Sequence, residues 1–427
     1  MYGEGTYRER STRRGVEQMT SSNSIDEGFM HRALKLAAET IGLASPNPQV
    51  GCVLTQTPPN GSSPKVIGEG AHLYANRDHA EIVALKQAAQ RGLSTIGATA
   101  YVTLEPCSHH GRTGPCADAL IAAGIARCVV ATQDPNPQVS GQGLAKLRAA
   151  GIKVSVGILQ QRARDLNDAF AHFIQSRTPF VTLKAGLSVD GKIAPPPASR
   201  FSNQPHWLTG LAARYEVQLL RHASDAVLTG IGTVLADDPQ LTDRSGLLGP
   251  NNLPRRRPLL RVILDSRLRT PLTSQLVCSA DNGGDSGYPN LLILCSKTAS
   301  IKRITALTDL GAQVETVPEH AGRLSLSAVL SILAERNILS LLLECGSHLN
   351  GAFLEQNLVD KAVLIYAETE LGDKAIPFAQ GIASPYLFEE SLRRVSRANY
   401  GPDACVTGYI NDPWTYGSTP APKHQIR

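Results

Sequence analysis

Apolar residues recur along the chain in two alternating periods, and the alternation predicts where its elements lie. Met30, Ala33, Leu34, Ala37, Ala38 and Ile41 follow at helical spacing behind Asp26, a residue suited to the N-cap, and Gly42 supplies the stop. Ser45-Pro46-Asn47-Pro48 is too rich in proline to continue a helix, and Val50 to Thr55 is a short apolar run that reads as a buried strand. Lys65 to Gly68 pairs with it as a hairpin across the Pro/Gly/Ser loop 57–64. His79 to Arg91 is helical, with Ile82, Val83, Leu85, Ala88 and Ala89 facing inward, so His79 and Glu81 fall in its first turn. Thr99 to Leu104 is a strand, Cys116 to Ala123 a helix closed by Gly124, and Arg127 to Thr132 and Lys153 to Val156 are strands flanking a helix at Leu144 to Ala150. Strands alternating with helices predict a three-layer α/β/α sandwich, complete by about residue 158.

A helical connector, Leu159 to Gln175, precedes a second α/β set. Its predicted strands are Phe180–Ala185, Ala226–Thr229, Leu260–Asp265, Leu291–Leu294, Ser340–Glu344 and Lys361–Tyr366, and its helices Leu211–His222, Ile301–Leu310, Leu324–Asn337 and Leu349–Asn357. Loops 194–206 and 244–258 are too long to be simple turns. The predicted organisation is a disordered tail over 1–24, a first domain over 25–158, a connector over 159–176 and a second domain over 177–427. The tail holds Arg8, Arg10, Arg13 and Arg14, but Glu4, Glu9 and Glu17 and the lack of an apolar core argue against a transit peptide.

Composition narrows the function classes. The chain is 42% hydrophobic and 19% charged, with no apolar run near the roughly 18 residues of a membrane span. A net charge of +5 without basic blocks fits anionic small substrates, and 5% aromatic residues with no basic stripe argue against a nucleic-acid deaminase or RNA-binding protein. Arg255-Arg256-Arg257 is the one dense basic run, and its Gly/Pro/Asn-rich loop, Gly249 to Pro258, predicts a solvated turn. Eight cysteines at irregular spacing form no disulfide framework, so a reducing, cytoplasmic setting is expected.

The stretch Leu104 to Cys116, L-E-P-C-S-H-H-G-R-T-G-P-C, together with His79-Ala80-Glu81, holds what a catalytic zinc site needs. His79, Cys107 and Cys116 supply three ligands and leave a fourth position open, whereas structural sites are closed by four and commonly use paired C-x-x-C units. A structural site completed by His109 or His110 leaves Glu81 unexplained. Glu81 is placed as the proton carrier of a hydrolytic deamination, from attacking water to ring nitrogen and departing ammonia.

The order and spacing of Pro46-Asn47-Pro48-Gln49-Val50-Gly51, His79-Ala80-Glu81, Glu105 to Cys116 and Asp134-Pro135-Asn136-Pro137 closely resemble the deaminase half of the bifunctional riboflavin-biosynthesis deaminase/reductases. The resemblance implies a cytidine-deaminase-like fold, Zn2+ as cofactor and a diaminopyrimidinone substrate carrying a phosphoribosylamino group. Asn47, His72, Ser108, Arg112 and Asn136 match family positions near that substrate.

The second half has no G-x-G-x-x-G after a strand. Leu183 to Ala194, Trp207-Leu208-Thr209, Thr229 to Arg244 and Val262 to Ser266 resemble the family's reductase half, which is similar in fold to dihydrofolate reductase and uses NADPH to reduce the ribosyl to a ribityl group. By that resemblance Gly186, Trp207, Thr233, Asp237, Ser266, Gly346 and Ser347 contact cofactor, and Arg221, Leu241, Arg244 and Glu344 contact substrate. Lys184 is the candidate for a polar catalytic or positioning role. The family reading further implies a homo-oligomer acting on a small molecule, with no nucleic-acid or membrane partner. Three departures stand out: Pro205 in a longer 195–206 link, Cys345 where the family has glycine, expected to crowd the pyrophosphate, and A-E-T-E-L-G at 367–372. The alternative they raise is a deaminase carrying a degenerate reductase-like scaffold.

Overall fold

The computed structural model describes residues 24–111, 114–199, 206–284, 286–382 and 384–414. Arg112, Pro205 and all of the predicted tail except Ser24 lie outside them. The chain divides into two compact units between Asp168 and Ala169, within the predicted connector.

The first unit runs α1 (residues 24–38), β1 (Gly51–Gln56), β2 (Lys65–Ala71), α2 (Ala80–Gln90), β3 (Thr99–Leu104), α3 (Cys116–Ala122), β4 (Arg127–Thr132), α4 (Gln142–Ala149), β5 (Lys153–Val156) and α5 (Gln160–Leu166). Its sheet has the order β2-β1-β3-β4-β5, antiparallel across β2-β1-β3 and parallel from β3 to β5. Side chains alternate across it with period two. Cys52, Leu54, Ala100, Val102, Cys128 and Val130 meet α2, α3 and α4 on one face, while Val53, Tyr101, Val129 and Ala131 meet α1 and α5 on the other. Burial on both faces is why these strands read as continuous apolar runs.

Glycines let two helices approach the sheet at backbone distance. A Cβ on Gly51 would lie 2.0 Å from Ala33 O of α1, and one on Gly68 or Gly70 would lie 2.2 Å from Ala84 O or Ala80 O of α2. The α2 face that meets this seam is Ala80, Ala84 and Ala88, all fully buried. Two sequence expectations change here. Asp26 is not an N-cap: it lies inside α1, buried, accepting from the Tyr101 hydroxyl at 2.9 Å and from Arg127 at 2.7 and 2.6 Å. The connector is not one helix but α5 and α6 (Asp168–Ser176), broken at Asn167, whose side chain binds the backbone of Gln49 at 2.8 and 3.0 Å.

The second unit continues through β6 (Phe180–Ser188), β7 (Lys192–Ala194), α7 (Leu211–Ala223), β8 (Ala226–Gly230), α8 (Ile231–Asp237), β9 (Leu260–Leu264), α9 (Gln275–Cys278), β10 (Leu291–Ser296), α10 (Ile301–Asp309), β11 (Gln313–Val317), β12 (Glu319–His320), β13 (Arg323–Leu324), α11 (Leu326–Glu335), β14 (Ser340–Leu343), α12 (Ser347–Glu355), β15 (Lys361–Ala367), β16 (Ile376–Pro377), α13 (Pro385–Glu390), β17 (Arg393–Tyr400) and β18 (Asp403–Tyr409). Nine strands form one sheet, β11-β10-β9-β8-β14-β6-β15-β18-β17, parallel up to β15 and antiparallel beyond it. Residues of α8, α9 and α10 pack on one face and of α11, α12 and α13 on the other. The sequence reading misses β11, β17 and β18. Arg393, Ser396, Arg397 and Asn399 leave β17 largely exposed, so it carries no apolar alternation.

Candidate active sites

In the first unit two helix N-termini converge. His79 is the N-cap of α2 and Cys116 the first residue of α3. Cys107, in the loop after β3, is tied to α3 by Cys116 N–H donating to its Sγ at 3.3 Å and Ala117 N–H to its carbonyl at 3.1 Å. His79 Nδ1 stands 3.5 Å from Cys107 Sγ and 3.3 Å from Cys116 Sγ, and the three ligand atoms lie within 4.8 Å of one another. Tetrahedral zinc with Zn–S near 2.3 Å and Zn–N near 2.05 Å places such atoms about 3.6 Å apart, so the set fits the ion. Helix dipoles favour thiolates at this point, and the hydrogen bond from Cys116 pushes the Cys107 thiol down while raising its donor. His109 and His110 are exposed and take no part.

Glu81, one residue into α2, is buried, and burial pushes its carboxyl up to about 7. Asn47 and His72 adjoin the ligands. His72 Nδ1 donates to Asp78 O at 2.8 Å, so its Nε2 accepts from Asn47 Nδ2 at 2.9 Å, and its ring meets that of His79 edge-on at 5.3 Å. Both ring nitrogens of His72 are thus used within the protein. Ser108 is half-buried beside Cys107, and Asn136 Oδ1 accepts from Gln138 N.

The sequence reading gives Glu105 no role, yet its buried carboxylate orders the loop that carries Asn136. It accepts from Asp134 N at 3.2 Å, Gly141 N at 2.9 Å, Gly143 N at 2.9 Å and Leu144 N at 3.3 Å. Local periodicity holds no signal for it, because its partners lie 29 to 39 residues on. A Cβ on Gly143 would lie 2.0 Å from Pro106 O. Gly143→Ala is therefore expected to displace the Pro106-Cys107 backbone and lower zinc content and ammonia release together, measured by metal analysis beside a deaminase assay, with reductase activity unchanged.

In the second unit a cleft of about 1380 Å³ opens at the carboxyl ends of β6, β14, β8 and β9, where parallel α/β sheets bind ligands. Lys184, Gly186, Trp207, Thr233, Asp237, Gly346 and Ser347 line it, as do Arg221, Arg244 and Glu344. Leu241 and Ser266 are not brought to it: Leu241 is buried in the core with Ile231, Val234 and Leu259. At the floor Arg221 Nε and Nη2 donate to Glu344 at 2.6 and 2.9 Å. Burial lowers the Lys184 amine, and the same arginine holds Glu344 below the usual carboxyl range despite its burial. Arg221 is thus a buried partner, not a surface one. Gly346 caps α12 and Gly232 has open space where a Cβ would point, a backbone cradle suited to the phosphates of a nicotinamide dinucleotide.

Cys345 lines the cleft, with its thiol donating to Leu228 O of β8 at 3.2 Å. In A-E-T-E-L-G, Ala367 is buried in the core, and Leu371 N and Gly372 N donate to Asp190 at 3.0 and 2.8 Å. Arg255 contradicts the solvated-turn expectation, since its side chain is only 13% exposed. No helix among the described residues is long and apolar enough to cross a membrane.

The RibD C-terminal domain family matches residues 179–406, and the cytidine and deoxycytidylate deaminase zinc-binding region matches 23–132. The riboflavin biosynthesis protein RibD of Escherichia coli K12 is 39% identical over 395 residues, covering 89% of this chain and 98% of its own, and that of Aquifex aeolicus is 36% identical over 384 residues, covering 90% and 98%. The solved structure of Acinetobacter baumannii RibD superposes with a TM-score of 0.72 at 34% identity over 91% of this chain and 99% of that one. A Thermotoga maritima structure described as a diaminohydroxyphosphoribosylaminopyrimidine deaminase/5-amino-6-(5-phosphoribosylamino)uracil reductase gives 0.71 at 31% identity over 91% and 99%. With a zinc deaminase unit followed by a reductase unit across the whole length of such relatives, the chain belongs to the RibD family, the bifunctional deaminase/reductases of riboflavin biosynthesis.

Proposed function

We propose that the first unit hydrolyses the amino group of a diaminopyrimidinone bearing a phosphoribosylamino group, giving its uracil form, and that the second then uses NADPH to reduce the ribosyl to ribityl. The observation that carries the reading is the coexistence of an open three-ligand zinc set beside a buried carboxylate with a cationic, glycine-lined cleft. The functional domains are taken as 25–158 and 177–427, joined by 159–176.

His79, Cys107 and Cys116 would hold zinc, which supplies a Lewis acid that acidifies water. Glu81, with its raised pKa, is suited to take a proton from the attacking water and return protons to the ring nitrogen and the leaving ammonia. Asn47 is oriented by His72 toward the substrate's base edge, while Ser108 and Asn136 flank it. Arg112 is proposed beside them from its place in the motif.

In the second unit Gly346, Ser347 and Thr233 would hold the dinucleotide, which supplies hydride when bound. Lys184 is placed to give a proton to the ring-opened sugar, and Arg244 with Arg221 to hold its phosphate. Eight free cysteines support a reducing, cytoplasmic setting. The test supplies the deaminated intermediate and follows NADPH oxidation. Turnover is expected, and its absence leaves the degenerate-scaffold alternative standing. Removing zinc with a chelator is expected to abolish ammonia release while NADPH oxidation continues; loss of both would tie the metal to the wrong reaction.

A further inference from the structure

The basic run Arg255-Arg256-Arg257 has no place in the chemistry above, yet all three members are half-buried; Arg256 and Arg257 set their guanidinium carbons 5.4 and 4.6 Å over the Tyr288 ring. Arg255 turns inward onto the end of α7. Its Nη1 donates to Arg221 O at 3.1 Å and also to His222 O, and its Nη2 to Ser224 O at 2.7 Å. The last carbonyls of a helix have no partner within it and carry the negative end of its dipole, so one planar guanidinium both satisfies and neutralises them.

The same Nη1 lies 3.7 Å from Asp243 Oδ2, which accepts from His222 Nδ1 at 2.8 Å, while Asp243 Oδ1 accepts from Ser245 N at 3.0 Å. Asp243 therefore bridges the neighbour of one cleft arginine, Arg221, to the segment carrying the other, Arg244. Two further contacts stitch those segments together: Arg221 Nη1 to Thr242 O at 3.1 Å and Arg244 N to Gln218 Oε1 at 2.9 Å. Arg255, Asp243 and His222 are nearly enclosed, at 13%, 13% and 9% side-chain exposure, and Arg255 and Asp243 are absent from the cleft lining.

We propose that Arg255 and Asp243 are positioning residues for the substrate's phosphate: they fix the end of α7 against the 240–245 segment so that Arg221 and Arg244 enter the cleft at a set separation. The inference rests on the reductase reading above. Neither residue touches substrate, so their effect is confined to the group the two arginines hold.

The experiment compares the full-length wild type with Arg255→Met, Arg255→Lys and Asp243→Asn, using the deaminated intermediate and the same compound after phosphatase treatment. For Arg255→Met the KM of the phosphorylated form is expected to rise about ten-fold, the effect of a small misplacement of charged donors. Its kcat, the KM for NADPH and kcat/KM for the dephosphorylated form are expected to stay within about two-fold. Arg255→Lys, which keeps the charge and one carbonyl bond, recovers part of the loss, and Asp243→Asn shows the same selectivity. Equal losses on both substrates, a raised KM for NADPH, or no change in any variant overturns the positioning role. Should Arg255→Met not fold, judged by NADPH binding, the nearly isosteric Asp243→Asn decides by the same criteria. A wild type that handles both substrate forms equally overturns the phosphate reading and this inference with it. A wild type that prefers the phosphorylated form, with unselective variants, overturns the inference alone.

Discussion

Replacing Glu81 by glutamine is expected to cut ammonia release by about a thousand-fold, within the range that a positioned proton carrier contributes, while the chain still binds zinc. The reason is local. Glu81 is two residues beyond a ligand on the first turn of α2 and does not itself belong to the ligand set, so the amide keeps the shape of the site and removes only the exchangeable proton. Burial already holds its carboxyl near neutrality, the condition for both taking and returning a proton. Metal analysis and ammonia release on one preparation check this. Retained deamination would remove Glu81 as the carrier, and lost zinc would make it a structural residue.

Glu344→Gln is expected to destabilise the second unit by about 3–5 kcal/mol, the usual consequence of stripping one partner from a buried ion pair. Glu344 faces Arg221 in a two-point bond and is also the nearest compensating charge of Lys184. An amide removes the charge that faces both cations at the cleft floor and leaves Arg221 only the weaker attraction of Asp243. At about 2–4 °C per kcal/mol for a domain of this size, the thermal transition of this unit should fall by roughly 6–20 °C. NADPH oxidation should fall with it. An unshifted Tm would mean that water reaches the pair and screens it.

The candidate zinc ligands are legible in the chain because each sits at a short-range device, a helix start or the strand-to-helix loop. The inner face of α2 is not: it buries Ala80, Ala84 and Ala88, with Ile82, Val83 and Leu85 half-buried and Ala89 exposed, and His79 is its N-cap and not part of its first turn. Strands β10 and β14 are legible too, buried on both faces, where L-L-I-L and L-L-L are unbroken apolar runs. Long-range polar contacts are not legible. Asp26 looks like an N-cap because aspartate is good at one, and nothing nearby announces Arg127, 101 residues away. Arg255 looks solvated because composition reports what a loop contains and not which way it faces. Leu241 and Ser266 follow the family motif, but motif membership does not place a side chain in the cleft.

The glycine seam under α2 bears on the rigidity of the deaminase site. Where Gly68 and Gly70 meet Ala80 and Ala84, the helix is located by main chain against main chain. Such a contact has no rotamers to immobilise, so docking the segment that bears His79 and Glu81 costs little side-chain entropy, against as much as about 2 kcal/mol for each long side chain ordered elsewhere. It also has no side chain that can hop to another well and carry the helix with it. The helix start that bears His79 and Glu81 therefore inherits the stiffness of the sheet, and warming should blur the surface of this unit well before it shifts Glu81 relative to Cys107 and Cys116.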